Sequence, residues 1–197
     1  NPIEVSLNAG VQTIRMNRPD KKNAITAAMY KDMAAAVNDA KSDDSVRATV
    51  FLGTPGAFSA GNDIADFMKV AMTGERSSMD VFDFLEAIIM SEKPLLAGVD
   101  GLAIGVGTTM LMHCDYVAAS DRSTLSTPFV DLGLVQEAGS SLIAPRIMGP
   151  QKAFELLAMG AKWSAEEARS AGLVNRVTSA ADLEADVLET AAQIASK

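Results

Sequence analysis

Apolar residues recur along this chain with two periods, one of two residues and one near 3.6. Ile3 to Leu7 and Val11 to Met16 alternate, and "NAG" between them is turn chemistry, so a hairpin is predicted. The polar stretch "NRPDKKNAI" leads to Thr26, a good N-cap for a helix over "AAMYKDMAAAVNDAK". Met29, Met33, Ala36, Val37 and Ala40 share one face of that helix. "SVRATVFLG" is expected as a buried strand, "TPGAFSAGND" as a glycine-bearing loop, and "DIADFM" as a short helix after it.

The polar segment "GERSSMD" reads as a mobile connection, and "MDVFDFLEAIIMS" as a helix with Val81, Leu85, Ile88 and Ile89 facing inward. Pro94 opens the strand "PLLAGVD"; "GLAIGVGTTMLMHCD" is a glycine turn running into an apolar helix, and "YVAAS" is the next strand. "GSSLIAPRIMG" and "PQKAFELLAMG" predict helices ended by Gly149 and Gly160. "SAEEARSAG" predicts a short helix, "LVNRV" a strand, and the chain from Ala180 an amphipathic helix. Short strands alternating with helices imply an α/β domain with mainly parallel strands, whose β-to-α turns collect on one side.

Composition narrows the partners. A formal net charge of −8 disfavours nucleic acid and anionic membranes, although locally positive charge would still admit an anionic ligand. The chain holds one cysteine and one histidine, so no disulfide within it and no structural zinc site are expected. No apolar run reaches the ~18 residues of a membrane span, and "NPIEVSLNAG" lacks the features of a signal peptide. A cytoplasmic (bacterial) or organelle-matrix enzyme without metal or redox cofactor is the expectation.

Candidate chemistry concentrates in two glycine loops, "FSAGND" and "GLAIGVG". Glycine lets a backbone N–H approach a ligand closely, and a helix N-terminus leaves N–H groups unpaired. Two such turns facing each other would form an oxyanion hole; alternatively, the glycines merely permit tight turns. "GVGTTM" has Met110 where the third glycine of a dinucleotide-binding turn belongs, and no phosphate-binding G-x-x-x-x-G-K-[ST] occurs.

Five ordered blocks carry a resemblance: "NRPDKKNAI", "AFSAGNDIADF", "DGLAIGVGTTMLMHCDYVAAS", "TPFVDLGLVQEAGSS" and "SAEEARSAGLVNRV". In this order they resemble the enoyl-CoA hydratase/isomerase (crotonase) superfamily over nearly the whole chain, most of all its Δ3,Δ2-enoyl-CoA isomerase branch. The resemblance implies a single α/β crotonase-like domain, a spiral of ββα units over 1–178 with the start of a C-terminal helical region over 179–197. The family's C-terminal helical trimerisation segment is apparently truncated or absent. A homotrimer or dimer of trimers is implied, acting on an acyl-CoA thioester, with coenzyme A as part of the substrate.

By the same resemblance, the backbone N–H groups of Asn62 and Val106 match the oxyanion-hole donors. Ala60, Gly61, Asn62, Asp63 and Ile64 match the segment around the CoA and acyl-thioester end, and Gly105 and Phe129 are also implied to bind CoA or substrate. Arg18, Lys21, Lys22 and Ala24 match the region near the adenine and phosphates. Family hydratases use two carboxylates, whose matching positions here are Thr109 and Phe129, neither able to transfer a proton. Isomerases of this branch carry one base where Glu137 stands, often preceded by proline, here Gln136. Without the resemblance, Glu137 would read as a carboxylate favoured near a helix N-terminus.

The implied reaction therefore moves the double bond of a 3-enoyl-CoA to the 2-position. Two other readings stay open: a 2-enoyl-CoA hydratase, and a silent acyl-CoA-binding or interaction protein. His113, Cys114 and Asp131 are expected to be structural, Asp115 to satisfy backbone groups where a helix meets a strand, and Trp163 to anchor the "SAEEARSAG" helix.

Overall fold

The computed structural model describes residues 1–66 and 79–197. The expected connection over "GERSSMD" and the later part of "DIADFM" lie largely outside these. Among the described residues ten strands form two sheets. β1 (Ile3–Asn8), β2 (Val11–Met16), β3 (Ala48–Leu52), β5 (Leu95–Val99), β7 (Tyr116–Ser120) and β10 (Arg176–Thr178) make the larger, in that order. β4 (Ala57–Ser59), β6 (Leu102–Ile104), β8 (Thr124–Ser126) and β9 (Trp163–Ser164) make the smaller. From β3 to β8 successive strands fall alternately in the two sheets, so the chain winds as a spiral, as expected. Among these ten strands β1–β2 and β8–β9 pair antiparallel and the other pairs are parallel.

Helices cover the larger sheet on both sides. α1 (Ala27–Ser42) begins where Thr26 accepts the Met29 N–H, and it buries all five residues of the predicted face together with Tyr30 and Ala34. α2 (Met79–Ile89) lies against it. Phe84 and Ala87 are buried there, while Ile89, expected to face inward, is 55% exposed because Phe84 and Ile88 set the buried stripe. Phe84 packs on Tyr30 at 5.6 Å and edge-on to Phe51 at 6.1 Å, tying both helices to β3. The period of two shows in β3: Phe51 enters this main core, whereas Val50 and Leu52 face a second core on the opposite side. There α6 (Leu183–Ala195) inserts Leu183, Val187 and Ala191.

The glycine turn after β6 enters a helix shorter than expected, α3 (Val106–Thr109), which tightens into a 3₁₀ turn over Met110–His113. α4 (Ser140–Leu157) is broken at Gly149 (φ 78°, ψ 159°), so its halves are the two predicted helices joined end to end. α5 (Ala165–Ser170) opens on a capping box made by Ser164 and Glu167. Trp163 is buried just before it and donates to Glu155 at 2.9 Å.

Candidate active site

β4, β6 and β8 are parallel neighbours, so the loops leaving their C-terminal ends lie side by side. Those loops begin at Ala60, Gly105 and Thr127, which unites the two glycine turns the sequence set apart. Contact between them is close. A Cβ on Gly61 (φ +89°) would stand 2.8 Å from the Ile104 carbonyl oxygen, and one on Gly107 would stand 2.9 Å from that of Ser59. Thr108 braces the second loop by donating to the Ala103 carbonyl at 2.6 Å.

The first loop is fixed against residues 22–25 by a short parallel ladder. Ala60 N–H donates to Lys22 C=O (2.9 Å), Ile25 N–H to Gly61 C=O (2.8 Å) and Asp63 N–H to Ile25 C=O (2.9 Å). These bonds use the groups flanking Asn62, and in such a ladder the intervening residue's own N–H points the other way. Neither the Asn62 nor the Val106 N–H has an acceptor among the described residues. Val106 opens α3, so its N–H is one of the unpaired donors of a helix N-terminus. Its side chain is buried, and only its backbone addresses the loops.

Residues 17–25 are held by a group that no sequence motif marks. Asn23 is fully buried, accepts the Arg18 N–H (2.7 Å), and donates to Thr54 Oγ1 and the Ala57 carbonyl. Its φ is 54°, and asparagine tolerates this left-handed region better than most residues. Arg18 binds Asp63 at 2.6 Å and the Ala24 carbonyl at 2.9 Å, and this guanidinium holds the Asp63 carboxyl below its ordinary range. Asp63 also accepts the Ala65 N–H, so it serves as a turn cap. Lys21 and Lys22 are exposed, as is Ile64.

Glu137 lies between the 3₁₀ turn Val130–Leu132 and α4, half-buried, and burial raises its carboxyl above the ordinary value. Its charge also reaches Tyr30, whose phenol is pushed up by burial first and by Glu137 second. The base candidate and the first glycine loop therefore share a neighbour, because Tyr30 donates to Asn62. Three contacts hold the segment: Gln136 Nε2 donates to the Leu157 carbonyl (3.1 Å), the His113 ring Nε2 lies 2.7 Å from the Ala138 carbonyl, and Ser140 N–H donates to Glu137 C=O (3.0 Å). Gln136 thus ties this segment to the end of α4, a role proline could not fill.

Thr109 and Phe129 are buried, Phe129 within the main core. Asp131 is exposed, with Oδ2 beside Gly160. Asp115 accepts the Leu95 N–H at 2.8 Å, as its place at the strand junction suggested. Cys114 packs against the main core, and burial, with Asp115 nearby, pushes its thiol up to about 12. Among the described residues no cluster of three His, Cys, Asp or Glu could hold a metal ion, and no helix is long and apolar enough to cross a membrane.

The family description "Enoyl-CoA hydratase/isomerase" matches residues 6–197, and the chain belongs to that family. It is 40% identical over 189 residues to enoyl-CoA delta isomerase 2 of Rattus norvegicus, covering 94% of this chain and 48% of that protein. It is 35% identical to 4-chlorobenzoyl coenzyme A dehalogenase-2 of Arthrobacter sp, covering 98% of this chain and 72% of that protein. The crystal structure of an enoyl-CoA hydratase/isomerase from Pseudoalteromonas atlantica T6c superposes with a TM-score of 0.94 at 41% identity, covering 100% of this chain and 77% of that one. The chain spans about half the length of the rat isomerase.

Proposed function

We propose that this protein isomerises 3-enoyl-CoA to 2-enoyl-CoA with Glu137 as the only proton-transferring group. The thioester oxygen sits between the Asn62 and Val106 N–H groups, which stabilise the dienolate that forms when Glu137 takes a proton from C2. Protonated Glu137 returns that proton to C4, the double bond moves to the 2-position, and the base is restored. A carboxyl whose proton affinity is raised by burial suits both halves of this cycle. Lys21 and Lys22 meet the phosphates of CoA, and the molecule works as a homotrimer or dimer of trimers.

The observation that favours isomerisation is the count of carboxylates among the described residues around the two glycine loops. Asp63 is engaged by Arg18 and Asp66 by the Ala27 N–H, while the positions of the hydratase pair hold Thr109 and Phe129. The relationship to delta isomerases points the same way, whereas the dehalogenase shows that relatives of this fold act on other CoA thioesters.

Purified protein is expected to convert 3-hexenoyl-CoA to the 2-enoyl thioester while adding no water to 2-hexenoyl-CoA. Glu137→Gln is expected to lower that turnover by ~10²–10⁴-fold, the range for removal of a general base, with the KM much less affected. Near-normal turnover in this variant would overturn the assignment of the base.

A further inference from the structure

Asn62 brings an acceptor oxygen to a place where the proposed reaction needs only donors. It is exposed at the first glycine loop, and its backbone N–H is held in place by the ladder to Ile25. Its side chain takes no part in that ladder. Asparagine amides readily hydrogen-bond to nearby backbone N–H groups, and the Asn62 and Val106 N–H groups have no acceptor among the described residues. An amide oxygen lodged there would occupy the position meant for the thioester oxygen.

The structure shows what restrains it. Tyr30 lies on the inner face of α1, is 4% exposed, and donates its hydroxyl to Asn62 Oδ1 at 2.5 Å. Its ring is fixed by Phe84, so the hydroxyl has little freedom to follow a moving amide. We propose that Tyr30 is a positioning residue that holds the side-chain oxygen of Asn62 out of the oxyanion hole, keeping the Asn62 and Val106 N–H groups for the substrate. The inference rests on the proposed use of those two donors. Burial keeps the phenol protonated, with the Glu137 charge adding to the effect, so the restraint persists throughout the working pH range.

The test uses Tyr30→Phe, Asn62→Ala and the double variant, each checked for an unchanged thermal midpoint. Tyr30→Phe removes one oxygen and leaves the ring on Phe84. It frees the amide oxygen to block the hole, so kcat for 3-hexenoyl-CoA should fall ~10–100-fold, less than the ~10²–10³ lost with a whole donor. Asn62→Ala keeps the backbone donor and removes the oxygen. The double variant should therefore match Asn62→Ala, which makes the second substitution a rescue of the first. Purely structural damage at Tyr30 would persist in the double variant.

A second readout needs no turnover. A chromophoric 4-dimethylaminocinnamoyl thioester of CoA absorbs at longer wavelength when its carbonyl is polarised, and bound to the wild-type protein it should shift to the red. That shift should shrink in Tyr30→Phe and return in the double variant. A Tyr30→Phe protein with wild-type kcat and a full red shift overturns the inference, as does a loss that Asn62→Ala fails to relieve. Should Tyr30→Phe lower the thermal midpoint, all proteins are compared below the lowest midpoint, where each is folded, and any difference between Asn62→Ala and the double variant there overturns it. A wild-type protein that shifts the chromophore but hydrates 2-enoyl-CoA would refute the isomerase reading while leaving this comparison intact.

Discussion

Glu137 must be ionised to take a proton, yet its surroundings oppose ionisation. Burial raises the carboxyl in the folded protein, so the acid limb of kcat/KM should lie above the ordinary carboxylate range. The same shift has a sign for stability. A group whose folded pKa exceeds its unfolded one contributes stability below the unfolded value and loses it as pH rises through the folded value. At neutral pH the charged Glu137 is therefore a cost, and Glu137→Gln should melt higher than wild type even as its turnover falls. Differential scanning calorimetry should find that gap closing as pH falls below the carboxylate range; a gap of the opposite sign at neutral pH would contradict the burial. The resemblance located Glu137, but nothing in the residue order marked Tyr30 or Asn23. Tyr30 reads as one more apolar position of α1, and only the packing of that helix beside the first loop gives its hydroxyl a partner.

At the scale of elements, the two glycine loops depend on a contact that a single methyl group would break. Alanine at Gly61 meets the Ile104 carbonyl oxygen at 2.8 Å and must also adopt a φ of +89°. The strain alone costs about 1–3 kcal/mol, and relieving the overlap separates the two donors. Gly61→Ala should lower kcat by roughly 10²-fold, as misplacement by an ångström can, along with a lower melting temperature. Gly56 (φ +81°) has open space around its Cβ position, so Gly56→Ala should cost stability to a similar degree while sparing kcat. Residue order alone gives two separate turns, and their pairing comes only from the resemblance. Long periodic segments such as α1 announced themselves, whereas β4, β8 and β9 have three residues or fewer, too short for a period to show. Those three strands belong to the sheet that assembles the site, so its geometry is fixed by pairing between distant segments and not by local pattern.

At the scale of the whole molecule, the charge balance opposes the proposed substrate. CoA thioesters are polyanions and the chain carries a formal −8, so long-range forces repel what the local site must attract. Arg18 contributes little free charge, because Asp63 binds it at 2.6 Å. In the proposed reading the attraction comes from Lys21 and Lys22, exposed on the short helical turn at Pro19–Lys21 and just after it. Exposed ion pairs are weak, up to about 1 kcal/mol each, so Lys21→Ala/Lys22→Ala should raise KM for 3-hexenoyl-CoA by about 3–10-fold with kcat unchanged. Salt gives the sharper test. In the wild type, added salt screens the lysines from the nearby phosphates and should raise KM. In the double variant only the repulsive field of the acidic molecule is left to screen, so the same salt should lower KM. Opposite slopes of KM against ionic strength in the two proteins would place the phosphate contact on these lysines, and parallel slopes would place it elsewhere.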